Sequence, residues 1–353
     1  MLCVVDEKEF MTNLNQNSSD QRKADHIALT ELAQTKASSV DSRFDYEPLF
    51  SAHPSLDEWR RPTEFLAKTL KAPLWISSMT GGTKEALTIN KNLAQVAREF
   101  GLGFGLGSCR SLLESNDRLG DFDFRGVIGD ELPFYANLGI AQIEQLQVKK
   151  ETSKIHNLIE KLKVDGLIIH INPLQEWFQP EGDRYQKPAL ETIESLLNEV
   201  SFPVIVKEVG QGMGPRSLKA LMKLPLAAID FGAFGGTNFS KMELLRDVSD
   251  ENHREDGLQF VGHTAGEMLS HVNQILDSNE QGIKCRSFII SGGIRSALQG
   301  HELVSSCLGN AVYAQAKPFL DHARVGIEDL RKFVLDQLLE LEMAKRFLEI
   351  RAN

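Results

Sequence analysis

The chain has 353 residues, 42% hydrophobic and 25% charged, an ordinary composition for a folded protein with a large core. Its formal net charge of -10 argues against nucleic acid or an anionic membrane surface as a partner, but not against small phosphorylated ligands, which local amides and a few cations can hold. Cys3, Cys109, Cys285 and Cys307 lack zinc-site spacing and read as free thiols of a reducing compartment. No apolar run approaches the roughly 18 residues of a membrane span, and MLCVVDEKEF is not a secretory signal. A cytoplasmic protein is therefore expected.

In chain order, residues 1–20 read as a flexible polar tail. A helical pattern begins at QRKADHIALTELAQ, with Ile27 and Leu32 as candidate core positions. Residues 41–63, with Pro54 and Pro62, read as an irregular arm. Eight short apolar runs follow: 73–79, 102–107, 134–139, 167–172, 204–209, 227–232, 288–293 and 311–316. Most are separated by helix-like sequence such as EALTINKNLAQVAREF. Strands alternating with helices imply parallel βαβ units, and eight of them imply an α/β fold of the (β/α)8 TIM-barrel type. The second and eighth runs are rich in Gly or Ala and are the least strand-like. The stretch IEDLRKFVLDQLLELEMAKRFLEI reads as a long closing helix. Residues 21–353 are thus expected to form one barrel domain with an N-terminal arm.

Nearly every run ends in polar or Gly-rich chemistry: SSMTGG, GSCR, ANLG, HINPLQE, VKEVGQG, DFGAFGGT and SGGIR. Barrel enzymes build their sites at the C-terminal ends of their strands. SGGIR, residues 291–295, serves either as a phosphate cradle at a helix start or as a tight βα turn. FGAFGGTNF is a second Gly loop, in which Thr237 offers a hydroxyl. Alternation within VIVKEV puts Ile205 and Lys207 on one face; a barrel-facing Lys needs an anionic ligand or an ion pair, for which Asp230 is the nearest candidate. HINPLQE brings His170, Asn172, Gln175 and Glu176 to one strand end. A single carboxylate such as Glu176 suffices for Mg²⁺ when a diphosphate supplies the other ligands. Arg22, Lys23 and His26 form either a solvated basic face or, with Arg110, a set of cations for a diphosphate.

Taken together, RKADH, PLWISSMTGG, GLGSCR, ANLG, HINPLQE, VIVKEVG, GGT, SGGIR and PFL resemble the FMN-dependent type 2 isopentenyl-diphosphate isomerases, in family order over roughly residues 21–320. The resemblance implies interconversion of isopentenyl and dimethylallyl diphosphate by reduced FMN, with Mg²⁺ and with NADPH as reductant, in a tetramer or octamer. It implies that Ser78, Met79, Thr80, Ser108, Asn137, Lys207 and Thr237 line the flavin. Gly292, Gly293, Ile294, Arg295, Ala316 and Lys317 would hold its phosphate. Arg22, Lys23, His26, Ser108, Cys109, Arg110, His170, Asn172 and Gln175 would face the substrate, with Glu176 on the metal. Gln175, Lys207 and His170 would be the catalytic side chains, Lys207 stabilising the anionic reduced flavin. Three departures touch the phosphate loops: Ala233 replaces a usual Gly, Ser296-Ala297 replaces Thr-Gly, and SALQGHELVSSCLGN is about two residues longer than usual. Two rival readings are an FMN-dependent 2-hydroxy-acid oxidase or dehydrogenase, for which His263 is the one candidate base, and a non-catalytic barrel that binds flavin or phosphate.

Overall fold

The computed structural model describes residues 19–55, 60–78, 85–246, 257–278 and 280–351. Eight parallel strands close into a barrel: β1 Leu74–Ile76, β2 Gly103–Gly105, β3 Phe134–Gly139, β4 Gly166–Ile171, β5 Val204–Glu208, β6 Ala228–Asp230, β7 Ser287–Ser291 and β8 Asn310–Gln315. Each lies within or beside one of the eight apolar runs. Helices cover the outside, as a sheet buried on both faces requires. No helix of the described residues is long and apolar enough to cross a membrane.

The Gly-rich second run is a strand for a packing reason. Trp75 on β1 is fully buried, and its register partner is Gly103. A Cβ on Gly103 would lie 2.1 Å from the indole, so only glycine leaves room for it. The Trp75 ring meets Tyr135 of β3 at 6.0 Å and Phe65 at 6.2 Å. Phe65 belongs to an antiparallel hairpin, Thr63–Phe65 with Lys68–Leu70, turned through the left-handed residues Leu66 and Ala67. This hairpin covers the N-terminal mouth of the barrel. There Lys68 and buried Arg125 both pair with Asp165, at 2.5 and 2.9 Å. Arg125 also donates to the carbonyls of Lys163, Gly129 and Leu132.

The closing helix runs Ile327–Phe347. Its end leads into Leu348–Ile350, which pairs antiparallel with Phe44–Tyr46 of the arm. The N-terminal helix differs from expectation. It spans Ser19–Leu29, and Ile27 and Leu32 are 79% and 82% exposed rather than core. Neither residue contributes to the core, which takes Phe65 and Leu70 from the later hairpin and nothing from this helix. Residues 1–18 of the expected tail lie outside the described residues.

Arg125→Ala should lower the unfolding free energy by about 3–5 kcal/mol, because Asp165 and three carbonyls lose a buried donor. Denaturant unfolding of the two proteins measures this.

Candidate functional site

At the C-terminal end of the strands lies a cavity of 630 Å³. Its lining includes nine of the predicted cofactor residues: Ser78, Lys207, Thr237, Gly292, Gly293, Ile294, Arg295, Ala316 and Lys317. Ser108 and Asn137 are not among them. Met79 and Thr80 lie outside the described residues.

One side of the cavity is built from glycine backbone. Gly292 and Gly293 have φ of 94° and 74°, and Gly235 of 118°, values that favour glycine. The two Gly loops touch: a Cβ on Gly236 would sit 3.0 Å from the Gly293 nitrogen. A Cβ on Gly292 would lie 2.1 Å from the Ala233 oxygen, so the steric demand falls on Gly292, and the buried methyl of Ala233 is tolerated. Ser296, the other departure, caps the helix Ala297–Ser305 by accepting from Gln299 N–H, and Gln299 in turn accepts from Arg295 N–H. That helix start thus has a side-chain cap of its own. The helix Lys317–Val325 has no side-chain cap at Ala316, and so presents an open positive end to the cavity. Lys317 pairs with Asp321, which also lines the cavity.

Lys207 is buried and donates from Nζ to the Glu208 carbonyl at 2.6 Å. Asp230, its register partner, is fully buried and accepts from the Ser291 hydroxyl. Ser291 Oγ accepts in turn from Gly232 N–H at 2.8 Å. Burial raises the Asp230 carboxyl above its ordinary value, against the pull of Lys207. Glu208 points one carboxylate oxygen at three amides, those of Gly210, Gln211 and Gly212, at 2.6–2.9 Å. Burial nevertheless raises its pKa too. Among the described residues, the buried hydroxyls of Ser77 and Ser78, two residues of the cavity lining, have no hydrogen-bond partner. Such orphan groups are rare and fit a polar ligand above them.

His170 sits beside Lys207 in the β4–β5 register. Its Nδ1 lies 2.6 Å from Asn137 Oδ1. An acceptor there fixes the proton on Nδ1 and leaves the lone pair on Nε2. Burial, helped by Lys207, pushes the His170 pKa down from 6.5 to about 3, so the imidazole is neutral at physiological pH. Asn172, buried at the N-cap of the helix Pro173–Phe178, donates to Gln175 Oε1 at 3.1 Å and Glu176 Oε1 at 2.9 Å. Gln175 also reaches Glu243 at 3.4 Å, and Glu243 pairs with Arg246 at 2.6 Å. Glu176 Oε2 accepts from Asp183 N–H at 2.6 Å. Among the described residues, no group of three or more His, Cys, Asp or Glu side chains is placed to hold a metal ion.

The expected diphosphate cations are only partly assembled. Arg110 is exposed and bonds Asp183 at 3.0 Å. Asp183 also accepts from Gln142 and Gln145. Arg22, Lys23 and His26 are exposed on the N-terminal helix and are not among the residues that line the cavity. Ser108 is exposed at the loop after β2. Cys109 is fully buried; its thiol donates to the Gly107 carbonyl, and its N–H is taken by Asn137 O. Burial pushes that thiol up to about 12, so it stays protonated, and Cys109 is not among the residues that line the cavity. His263 lies outside the cavity lining, its ring packed edge-on to His271.

Sequence reasoning missed Glu243, Asp183 and Glu208, and read Ser291 only as part of the SGGIR turn. Glu208 was visible next to Lys207, but a strand's alternation points it away from the lysine's face. Asp183 and Glu243 carry no local motif, and only the fold brings them to Arg110 and Gln175.

Because its folded pKa is depressed, His170 binds a proton in the unfolded chain that the native state refuses. Stability should therefore fall as pH drops below 6.5 toward 3. His170→Asn should flatten that fall, as read from thermal midpoints between pH 7 and pH 4.

No family model matches the chain. Among solved structures, the recombinant flavin-binding domain of baker's yeast flavocytochrome b2 superposes with TM-score 0.58 at 13% identity, covering 86% of this chain and 71% of that one. A mandelate oxidase variant with (S)-mandelic acid superposes with TM-score 0.51 at 13% identity, covering 88% of each chain. Both share the barrel fold. The isopentenyl-diphosphate delta-isomerase of Rickettsia felis (strain ATCC VR-1525 / URRWXCal2) is 35% identical over 324 residues, 88% of this chain and 87% of the relative. That of Rickettsia akari (strain Hartford) is 33% identical over 333 residues, 92% and 93% of the two chains. At that identity, sustained along nearly the whole length of both relatives, the chain belongs to the isopentenyl-diphosphate delta-isomerase family.

Proposed function

We propose that the protein interconverts isopentenyl diphosphate and dimethylallyl diphosphate, using reduced FMN and Mg²⁺. The observation that carries this reading is the 630 Å³ cavity in which buried Lys207, the orphan Ser77 and Ser78 hydroxyls and a glycine cradle converge beside the HINPLQE cluster, in a chain of this family. FMN fits the residues present: the Gly292–Ile294 turn and the open helix end at Ala316–Lys317 would hold its phosphate, and Lys207 would lie by its ring. Reduced FMN supplies the acid/base or electron-donor centre of the double-bond shift. NADPH is the proposed reductant.

The chain's own residues bind, orient and shield. Lys207 offsets negative charge on the cofactor in a poorly solvated site. Neutral His170 offers Nε2 as an acceptor and, being uncharged, does not compete with Lys207 for an anion. Gln175, held between Asn172 and Glu243, is oriented to hydrogen-bond the substrate or a water, but an amide is not a strong acid. Glu176 presents the carboxylate for Mg²⁺, with the diphosphate supplying the other ligands. Arg110 would exchange Asp183 for the diphosphate, with Arg22, Lys23 and His26 adding charge from the N-terminal helix. A homo-oligomer, tetramer or octamer, belongs to the same reading.

Anaerobically reduced protein given isopentenyl diphosphate and Mg²⁺ should form the dimethylallyl isomer, seen by chromatography or NMR. A protein that holds FMN and converts nothing overturns the reading in favour of a non-catalytic binder. Bleaching of oxidised flavin by a 2-hydroxy acid would favour the oxidase instead. Glu176→Gln should cut Mg²⁺-dependent conversion by at least about 100-fold, the scale of losing a metal-held orientation. Its flavin absorbance should stay at the wild-type level.

A further inference from the structure

A line of buried amides runs from the closing helix to the phosphate end of the cavity. Tyr313, fully buried on β8, donates its hydroxyl to Gln337 Oε1 at 3.3 Å. Gln337, on the helix Ile327–Phe347, donates to Gln315 Oε1 at 2.6 Å. Gln315 donates to the Ile294 carbonyl at 3.3 Å. Both glutamines are buried, at 3% and 6% exposure, Gln315 at the border of the cavity, so a lost partner leaves a buried polar group unpaired.

The end of this line matters. Ile294 closes the Gly292–Gly293 turn, whose glycines sit in left-handed conformations and whose neighbour Gly235 is in backbone contact. Gln315 immediately precedes Ala316, the uncapped start of the helix Lys317–Val325. Its backbone carbonyl also accepts from Ser77 N–H at 3.0 Å. One side chain thus ties together the two halves of the cradle, and it has no freedom of its own once Gln337 fixes its amide. All three bonds run in one donor direction, so each polarises the next.

We infer that Gln337 is a positioning residue for the phosphate of the cofactor: it acts through Gln315 to hold the Ile294 carbonyl, and with it the turn, in the phosphate-accepting shape. Gln337 does not line the cavity. The inference rests on the FMN reading above, and it predicts an effect on the phosphate alone. The isoalloxazine ring would be met by Lys207 and the serines; the relay's side chains bond none of them, and the Gln315 carbonyl that accepts from Ser77 N–H is main chain, kept in every variant.

The test compares FMN with riboflavin, which lacks the phosphate, on apoprotein by flavin fluorescence quenching. Wild type should bind FMN more tightly than riboflavin. Gln337→Met, nearly isosteric but unable to donate, should weaken FMN by roughly tenfold, the scale of about one lost buried hydrogen bond with its unpaired partner, and leave riboflavin unchanged. Tyr313→Phe, which removes one hydroxyl and preserves the packing, should shift FMN in the same direction by less. Gln315→Met should match Gln337→Met, and the double variant should be no weaker than either single one. Leu341→Ala, on the same buried helix face but outside the relay, should lower the thermal midpoint without changing the FMN-to-riboflavin ratio. An unchanged ratio in Gln337→Met and Tyr313→Phe, or an equal drop in Leu341→Ala, overturns the inference. A wild type that binds FMN no better than riboflavin overturns the FMN-phosphate reading itself.

Discussion

The parallel register of β3 to β6 is the constraint on which the site depends. It sets Gly139 beside His170, His170 beside Lys207, and Lys207 beside Asp230. In-register neighbours of a parallel ladder point to the same face, so a base, a cation and an acid share one arc of the barrel interior. A slip of one residue would turn all of them into the helix layer. The missing side chain of Gly139 is part of the arrangement, since a Cβ there would meet His170 Nε2 at 2.9 Å. The arc is tenable because its charges are of mixed sign and bonded. Lys207 is held by a carbonyl, Asp230 by Ser291, and His170 stays neutral.

Glycine placement then decides where volume goes. Gly103 gives its space to Trp75, which fills the barrel below the site. Gly235, Gly236, Gly292 and Gly293 give theirs to the close backbone contact of the two loops that line the cavity above it. A packed floor under an open roof is what lets a barrel be stable and bind a ligand at once. The roof is stiffened by polar groups buried for that purpose. Glu208 gathers three amides of the loop after β5, and Gln315 spans the loops after β7 and β8.

The two ends of the site differ in kind. The cradle end is backbone and glycine, closed by buried amides, and is preformed. At the other end are long side chains already engaged with acids: Arg110 with Asp183, Arg246 with Glu243 and Glu181. Those pairs are exposed on one side and exchange readily for a stronger anion. A net acidic chain thus keeps these cations neutralised by its own carboxylates.

The sequence by itself pointed to the barrel, because burial on both faces forces continuous apolar strands and eight such units favour a closed barrel over an open sheet. It determined the position of Lys207, since alternation is a local property. It located the cluster at residues 170–176 and the SGGIR turn, because strand ends and glycine punctuation are written within a few residues. Local pattern misled at Ile27 and Leu32: helical spacing marks an apolar stripe but not whether any surface lies opposite it. The structure alone decided what lies across the barrel. That Asp183 answers Arg110, that Glu243 answers Gln175, and that Gln337 reaches Gln315 are contacts between residues 22 to 73 positions apart. Such pairs are fixed by strand closure and helix packing, which no stretch of neighbouring residues encodes.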